Sequence, residues 1–301
     1  MLTAAVAAST PLLFAALGET VAERAGVINL GIEGTMLVGA VVGFVAMNAT
    51  GSLGPGVLAA LGAGAAAAAV HAFFSVTLRA NQIISGLGVT VAATGLSALI
   101  GRSVVGIPAE ARFRDVDIPG LSAIPGIGEI LFQHHVLVYA GYALAPLVWW
   151  LMRRTRVGLH LRACGENPAA ADAMGVSVAA YRYGAVMFGG AMAGLAGASL
   201  TLAEVGNWSE NMTAGRGFIA LALVIFATWD PLRVLLGAFF FGALDVLAFR
   251  AQIIGVDVPA TILGMIPYVA TILVLIAITV LGAHRRLRAP EALGEAYVRG
   301  G

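Results

Sequence analysis

Long apolar runs separated by short polar stretches fill most of the 301-residue chain. Many of these runs approach the roughly 20 residues that a helix needs to cross a bilayer. Nine runs stand out, at residues 2–17, 27–47, 55–78, 82–100, 135–152, 183–203, 217–229, 232–249 and 261–281. The pattern predicts an all-α polytopic membrane protein with about nine transmembrane helices, within a range of eight to ten. The first and seventh runs are short, so a re-entrant segment is the alternative for either.

Polar and proline-rich stretches mark the boundaries of the predicted helices. Residues 18–24 form a polar exit from the first run. The longest gap, residues 102–134, contains Pro108, Pro119 and Pro125, which exclude a long helix there.

Composition supports a membrane protein and excludes several other classes. The chain is 59% hydrophobic and only 11% charged, whereas soluble domains carry about 25% charged residues. A formal charge of +1 gives no reason to expect a nucleic-acid partner. The single Cys164 cannot form an internal disulfide. No basic region precedes the first apolar run, so we expect a first membrane segment there rather than a cleaved signal peptide.

Arginine placement predicts the orientation, because basic residues concentrate on the cytoplasmic side of membrane proteins. With nine spans and a cytoplasmic tail at 284–301, the N-terminus faces outward and twelve of the seventeen arginines lie inside. The opposite orientation inverts this bias. We therefore expect residues 1–283 to form one membrane domain, with the polar stretch 153–183 cytoplasmic and the loop 102–134 extracytoplasmic.

The stretch 153–183 separates the fifth and sixth predicted helices, and its centre is built like a very short capped helix. Asn167 is a good N-cap, because its side chain accepts from a free backbone N–H. Pro168 suits the first helical position, and Gly175 suits the left-handed residue that ends a helix. So short a helix is unstable alone in water. We therefore expect it to dock on another surface, and its small alanine face indicates a shallow groove.

Residues 26–34, GVINLGIEG, place polar side chains at the start of the second run. Asn29 and Glu33 are four residues apart, so we expect them to share a helix face. A carboxylate inside a membrane segment is costly unless it faces protein or water. Two interpretations stay open: a solute-path or gating element, or a structural Glu33 that is hydrogen-bonded between helices.

Three more polar positions are of interest within the apolar pattern. Asn81 and Gln82 open the fourth run, where they either line an inner vestibule or simply start a helix. Asn211 precedes the seventh run, where a helix start would offer backbone N–H groups to a polar solute; a plain loop is the alternative. Asp245 lies inside the eighth run and needs a partner that the sequence does not name.

Catalytic and nucleotide-binding patterns are poor. His71 is isolated, and the pair His134 and His135 lacks the further ligands that a metal site needs. Ser199 has no histidine paired with it in the sequence. The chain contains no lysine, so it cannot carry a phosphate-binding loop of the Gly-x-x-x-x-Gly-Lys type.

These residues together resemble a known family. Residues 162–175, RACGENPAAADAMG, resemble the cytoplasmic coupling loop of bacterial ABC-importer permeases, in the branch of ribose, branched-chain amino-acid and nucleoside permeases. The stretches 26–40, 81–87 and 210–218 are similar to the purine-nucleoside and guanosine subgroup. The resemblance extends over about residues 12–281.

The resemblance implies a permease subunit of the bacterial inner membrane that carries a small polar solute. A nucleoside is the expected solute, and a simple sugar or another small solute is the alternative. It implies three protein partners: a cytoplasmic ATPase, a second permease (a longer paralogue or an identical copy) and an extracytoplasmic substrate-binding protein. ATP and Mg²⁺ would be bound by the ATPase, and this chain would hold no cofactor. The implied contacts with the ATPase are Gly165, Glu166, Asn167, Pro168, Ala169, Ala170, Asp172, Met174 and Gly175. The residues expected along the solute path are Asn29, Glu33, Asn81, Gln82 and Asn211.

Two other classes of protein remain as alternatives. An ion-driven secondary transporter would use Glu19, Glu33 or Asp245 as coupling acids, but it has no need of a capped docking helix. An intramembrane enzyme would need a paired nucleophile and base, which the sequence does not show.

Overall fold

The computed structural model describes residues 1–253, 259–263, 265–280 and 289–299, and most of them are helical. In chain order the helices are α1 (Leu2–Arg24), α2 (Ile32–Thr50), α3 (Leu53–Ala72), α4 (Gln82–Gly101), α5 (Ile127–Leu131), α6 (Val136–Arg154), α7 (Arg156–Glu166), α8 (Pro168–Ala173), α9 (Val178–Ser199), α10 (Arg216–Phe226), α11 (Pro231–Ile253), α12 (Ala260–Leu263) and α13 (Ile266–Val280). Wider π-helical turns, Phe73–Thr77 and Leu200–Val205, extend α3 and α9. Two short strands, β1 (Asp115–Asp117) and β2 (Gln133–His135), pair antiparallel in the long loop.

The prediction of a polytopic helical membrane protein is confirmed, but the count of nine spans is not. Among the described residues, seven helices are long and apolar enough to cross a bilayer: α1, α2, α3, α4, α6, α9 and α11. The predicted seventh span corresponds to α10, which has only 11 residues. The predicted ninth span corresponds to α12 and to α13, which has 15 residues. The start of the predicted tail, 284–288, lies outside the described residues.

The first helix continues beyond its predicted end, so the expectation of a polar exit at 18–24 was wrong. Glu19 and Glu23 lie on α1 and are almost completely buried. One oxygen of Glu19 accepts the backbone N–H of Asn29 at 2.9 Å. The Glu23 carboxylate accepts the indole N–H of Trp229. Polar groups from distant segments meet these carboxylates, so the helix retains them inside the protein rather than ending before them.

Three helices form the centre of the bundle, and small residues bring them together. Helices α1, α2 and α9 are buried along most of their length. Gly18 of α1 and Gly39 of α2 lie so close to the α9 backbone, and Gly197 of α9 so close to the α2 backbone, that added side chains would collide with the opposite helix. Such small-residue contacts are typical of helix packing in membranes.

Helices α3, α4, α6 and α11 are buried along only about a third of their length or less. Leu58, Val91, Leu99 and Leu236 are each at least two-thirds exposed. Exposed apolar surface on this scale is unstable in water, so these faces border lipid or another subunit.

The two ends of the bundle are distinct. At the coupling end, defined by α7 and α8, Arg153 pairs with Asp230 at 2.8 Å and Arg24 donates to the carbonyl of Trp229. At the opposite, loop end, the long loop binds the chain beyond α9, where the N–H of Ala109 donates to the carbonyl of Gly206. In agreement with the sequence, the described loop contains no long helix.

Candidate coupling helix and solute path

Helix α8 has the caps that the sequence predicts. The Asn167 side chain accepts the backbone N–H of Ala170 at 2.9 Å, and Pro168 occupies the first helical position. Gly175 has a φ of +82°, the left-handed conformation that suits glycine after a helix. The helix has six residues, about 9 Å long. The sequence did not predict α7, an 11-residue helix that immediately precedes α8 within the same polar stretch.

One side of α8 faces solvent and the other is anchored to the protein. Ala169 and Ala170 are exposed, and Met174 is 84% exposed. On the inner side, Ala171 packs with the buried Cys164 and Val178. The exposed side is therefore a small, weakly polar surface with one projecting methionine, suited to a shallow groove.

The remaining predicted coupling residues border α8. Glu166 is exposed and lies 3.9 Å from Arg24, which makes a weak surface ion pair. Gly165 lies against the carbonyl of Arg24, where a side chain would not fit. Asp172 accepts a hydrogen bond from the Tyr297 hydroxyl at 3.0 Å, so this carboxylate faces the C-terminal segment.

Asn29 is part of the loop between α1 and α2, so the expectation that it shares a helix face with Glu33 was wrong. Helix α2 begins only at Ile32. Asn29 is 1% exposed, and its side-chain oxygen accepts the N–H of Gly31 at 3.0 Å. It shapes the loop, and its burial keeps it away from any open path in this conformation.

Asn81 and Gln82 both serve local structure at the coupling end. Asn81 caps α4 by accepting the N–H groups of Ile83 and Ile84. Gln82 is buried, and its oxygen accepts the N–H of Ile28 at 2.8 Å. The helix-start interpretation therefore describes these two residues.

Glu33 holds the beginning of α10. One carboxylate oxygen accepts the Thr213 hydroxyl at 2.5 Å and the N–H of Gly215 at 2.8 Å. The other oxygen accepts the N–H of Gly217 at 2.7 Å. Both oxygens are thus occupied by protein donors at a helix N-terminus, where negative charge is favourable. Gly217 is required for this approach, because a Cβ there would lie 2.6 Å from the Cα of Glu33.

Helix α10 is a half-length helix that begins at about mid-depth. Its 11 residues span about 16 Å, roughly half of a hydrocarbon core of about 30 Å. It ends near Trp229, which contacts Glu23 at the coupling end. The preceding backbone is irregular, with Asn211, Ala214 and Gly215 at φ values of 55°, 47° and 80°. Irregular backbone at membrane depth occurs where it is buried in protein or lines a water-filled cavity.

A polar cluster that sequence reasoning missed lies beside this helix start. Arg216 pairs with Asp245 of α11 at 3.3 Å, which provides the partner that Asp245 needs. The hydroxyl of Tyr268, on α13, donates to the carbonyl of Ala214. Arg216 and Asp245 are partly exposed, and Asn211 is exposed. Charged groups at this depth do not face lipid, so this face borders water or a second subunit.

The five residues expected along the path are therefore not brought together. Asn29, Asn81 and Gln82 lie near the coupling end. Glu33, on α2, is buried against the turn that starts α10, whereas Asn211 is exposed within that turn. Only Asn211 borders the exposed polar face. Arg216, Asp245 and Tyr268 are the side chains that accompany it there. The isolated acid Asp245 was the sequence signal for this cluster, but its partner lies 29 positions away and nothing in the local pattern indicates it.

Comparison with known protein families gives the context for this arrangement. Residues 1–278 match the model of the permease component of branched-chain amino-acid transport systems. The chain belongs to that permease family. It is the transmembrane permease subunit of an ABC transporter, in agreement with the sequence resemblance.

Curated relatives cover the permease almost end to end. A putative glucose ABC transporter permease protein of Haloferax volcanii is 42% identical over 99% of this chain and 97% of its own length. A nucleoside ABC transporter permease protein of Lactococcus lactis is 38% identical, and a guanosine ABC transporter permease protein of Bacillus subtilis is 34% identical. Each of the latter two comparisons covers 97% of this chain and 94% of the relative. No solved structure matches the chain.

Proposed function

We propose that this permease imports a nucleoside as one of two membrane subunits of an ATP-driven transporter. The observation that carries the choice of solute is its similarity, at 38% and 34% identity over nearly the whole chain, to permeases named for nucleosides and guanosine. A simple sugar is the second candidate, because the Haloferax volcanii relative is named for glucose. Family membership argues against the ion-coupled carrier and the intramembrane enzyme.

Energy enters through α8 in this proposal. The exposed Ala169, Ala170 and Met174 would sit in a groove of a cytoplasmic ATPase, which binds ATP and Mg²⁺. The other proposed contacts, from Gly165 to Gly175, either cap α8 or anchor it to the protein. In this proposal the permease lies in the cytoplasmic membrane, with its coupling end in the cytoplasm and its N-terminus outside. The support is that Arg24, Arg153 and α7 lie at one end of the bundle, as the positive-inside rule requires.

The solute path in this proposal runs along the exposed polar face at the start of α10. Asn211, Arg216, Asp245 and Tyr268 offer hydrogen-bond donors and acceptors at mid-depth, where binding sites of transporters with broken helices commonly lie. A second permease, a longer paralogue or a second copy, would close the other side of this path. Glu33 positions the α10 start rather than contacting the solute. An extracytoplasmic binding protein would deliver the solute to the loop end.

Solute competition in a reconstituted transporter tests the choice between nucleoside and sugar. The complete complex with its binding protein is placed in proteoliposomes containing ATP, and uptake of labelled guanosine is measured against excess unlabelled adenosine or glucose. We expect adenosine to compete and glucose to have no effect. Absence of ATP-driven guanosine uptake, together with ATP-driven uptake of labelled glucose by the same proteoliposomes, would establish the sugar instead.

A further inference from the structure

The C-terminal segment 289–299 crosses the coupling end and contacts five separate elements: α4, α7, α8, α9 and the loop between α1 and α2. The first of these contacts is at Ala292, whose backbone N–H donates to the carbonyl of Gly165 at 2.9 Å, near the end of α7 and just before α8. Two residues later, the N–H of Gly294 donates to the carbonyl of Gly26, in the loop between α1 and α2, at 3.3 Å. Ala292 is buried, and Leu293 packs against the main hydrophobic core. The segment is therefore attached to the bundle rather than lying free beside it.

The carbonyl of Glu295 ties two more helices to the segment. It accepts a hydrogen bond from Arg182 of α9 at 2.8 Å and lies 3.5 Å from the side-chain nitrogen of Gln82, at the start of α4. Arg182 is 2% exposed. The same Gln82 side chain accepts the N–H of Ile28. The segment and the loop between α1 and α2 thus share one buried polar network.

Beyond this network, the segment reaches α8 itself. The Tyr297 hydroxyl donates to Asp172 at 3.0 Å, and the Arg299 guanidinium lies 3.0 Å from the same carboxylate. The Tyr297 ring packs against the cluster formed by Cys164, Ala171 and Val178. Arg299 is 82% exposed, so its ion pair is weakened by solvent and the tyrosine contact is the stronger of the two.

These contacts form a route from α8 to the start of α10. A six-residue helix has little stability of its own, so a displacement of α8 moves whatever is bonded to it. The segment connects Asp172 to Gly26, and the loop that begins there leads into α2 and Glu33. Glu33 in turn holds the N–H groups of Gly215 and Gly217 at the proposed path.

We propose that the segment 289–299 is a mechanical strap that transmits movement of α8 to the loop between α1 and α2, with Tyr297 and Arg299 as positioning residues for Asp172. This inference rests on the proposed function, because the movement of α8 is driven by the ATPase. The strap determines how much solute moves for each ATP, whereas the exposed face of α8 determines whether the ATPase binds.

The test uses the complete transporter in proteoliposomes and compares guanosine uptake with ATP hydrolysis. For the double variant Tyr297→Phe with Arg299→Gln, we expect uptake per ATP to fall about fivefold, the factor that corresponds to losing one hydrogen bond of about 1 kcal/mol. The ATPase should still copurify in wild-type amount. Val298→Ala is the matched control, because Val298 lies between the two residues and is 45% exposed. The single variant Arg299→Lys retains both the positive charge and Tyr297, so it should keep the wild-type ratio of uptake to ATP hydrolysis.

Two results would overturn the strap. An unchanged ratio of uptake to ATP hydrolysis in the double variant would show that the segment transmits nothing. Loss of copurification would show that it serves ATPase docking instead. If the wild-type complex itself shows no ATP-driven uptake, the proposed function fails, and that outcome is distinct from both results.

Discussion

Substituting Glu33 by glutamine should loosen the start of α10, because the Glu33 carboxylate alone accepts three hydrogen bonds there. A hydrogen bond to a charged group stabilises by about 1.5–3 kcal/mol, and a neutral one by about 0.5–1.5 kcal/mol. The glutamine oxygen can still accept from Thr213 and Gly215 as a neutral group. Its amide nitrogen, however, would face the N–H of Gly217, so that bond is lost. We expect a total loss of about 3 kcal/mol.

The assay is thermal unfolding of the purified permease in nanodiscs, followed by uptake in the complete transporter. At about 2 °C per kcal/mol for a large domain, Glu33→Gln should lower Tm by about 6 °C. Thr213→Val removes one of the three bonds and should lie between this variant and wild type. Glu210→Gln is the control, because Glu210 is exposed a few residues away and its neutralisation should leave Tm unchanged. A Glu33→Gln protein with wild-type Tm and wild-type uptake would refute the proposed role of Glu33.

Three further predictions concern other parts of the molecule. Arg216→Gln should raise KM for uptake about fivefold, because the partly exposed ion pair with Asp245 contributes on the order of 1 kcal/mol. Arg250→Gln, on the exposed surface of α11, is the control. An unchanged KM in Arg216→Gln would show that the ion pair does not contact the solute. Burial raises the pKa of the Cys164 thiol, although the nearby Arg182 acts in the opposite direction. Maleimide should therefore label the native protein far more slowly than the double variant Met174→Cys with Cys164→Ser, whose cysteine is exposed. Equal labelling rates would contradict the burial of Cys164 in α7. Burial lowers the pKa of His135; Asp115 opposes this shift and the neighbouring His134 adds to it. The stability that neutral His135 contributes is therefore complete above its unfolded-state pKa of about 6.5, and it is lost as the pH falls through the lower folded-state pKa. Tm of a His135→Asn variant should therefore decline less on acidification than Tm of the wild type. Equal declines in the two proteins would show that His135 does not contribute to the pH dependence of stability.

Local signals made α8 predictable, whereas contacts between distant segments did not show in the sequence. The caps Asn167, Pro168 and Gly175 act within a few residues of each other, and the structure has them as predicted. Glu33 was recognised as costly, but its donors lie 180 or more positions further along the chain. No periodicity or spacing rule connects positions so far apart.

Polarity by itself also misled the prediction of helix ends. The sequence predicts an exit from the membrane at residues 18–24, because Glu19 and Glu23 interrupt an apolar run. Their partners, Asn29 and Trp229, allow α1 to continue with both acids buried. The assumption that Asn29 is helical failed for a related reason, since the loop before α2 is fixed by contacts with α1 and α4. The predicted seventh span is the half-length helix α10 in the structure, and the Glu33 contact that holds its start does not show in the local sequence.

The central claim, that an ATPase drives this permease through α8, is tested most directly by removing the caps of that helix. The substitutions Asn167→Gly and Pro168→Gly together delete the side-chain acceptor for Ala170 and the fixed backbone at the first helical position. Losing an N-cap costs about 1 kcal/mol, and replacing a residue by glycine further disfavours so short a helix. ATP-driven guanosine uptake should be abolished in proteoliposomes, while membrane insertion stays at the wild-type level and Tm of the permease falls by only about 2–4 °C. Full ATP-driven uptake by the doubly substituted protein would contradict the account.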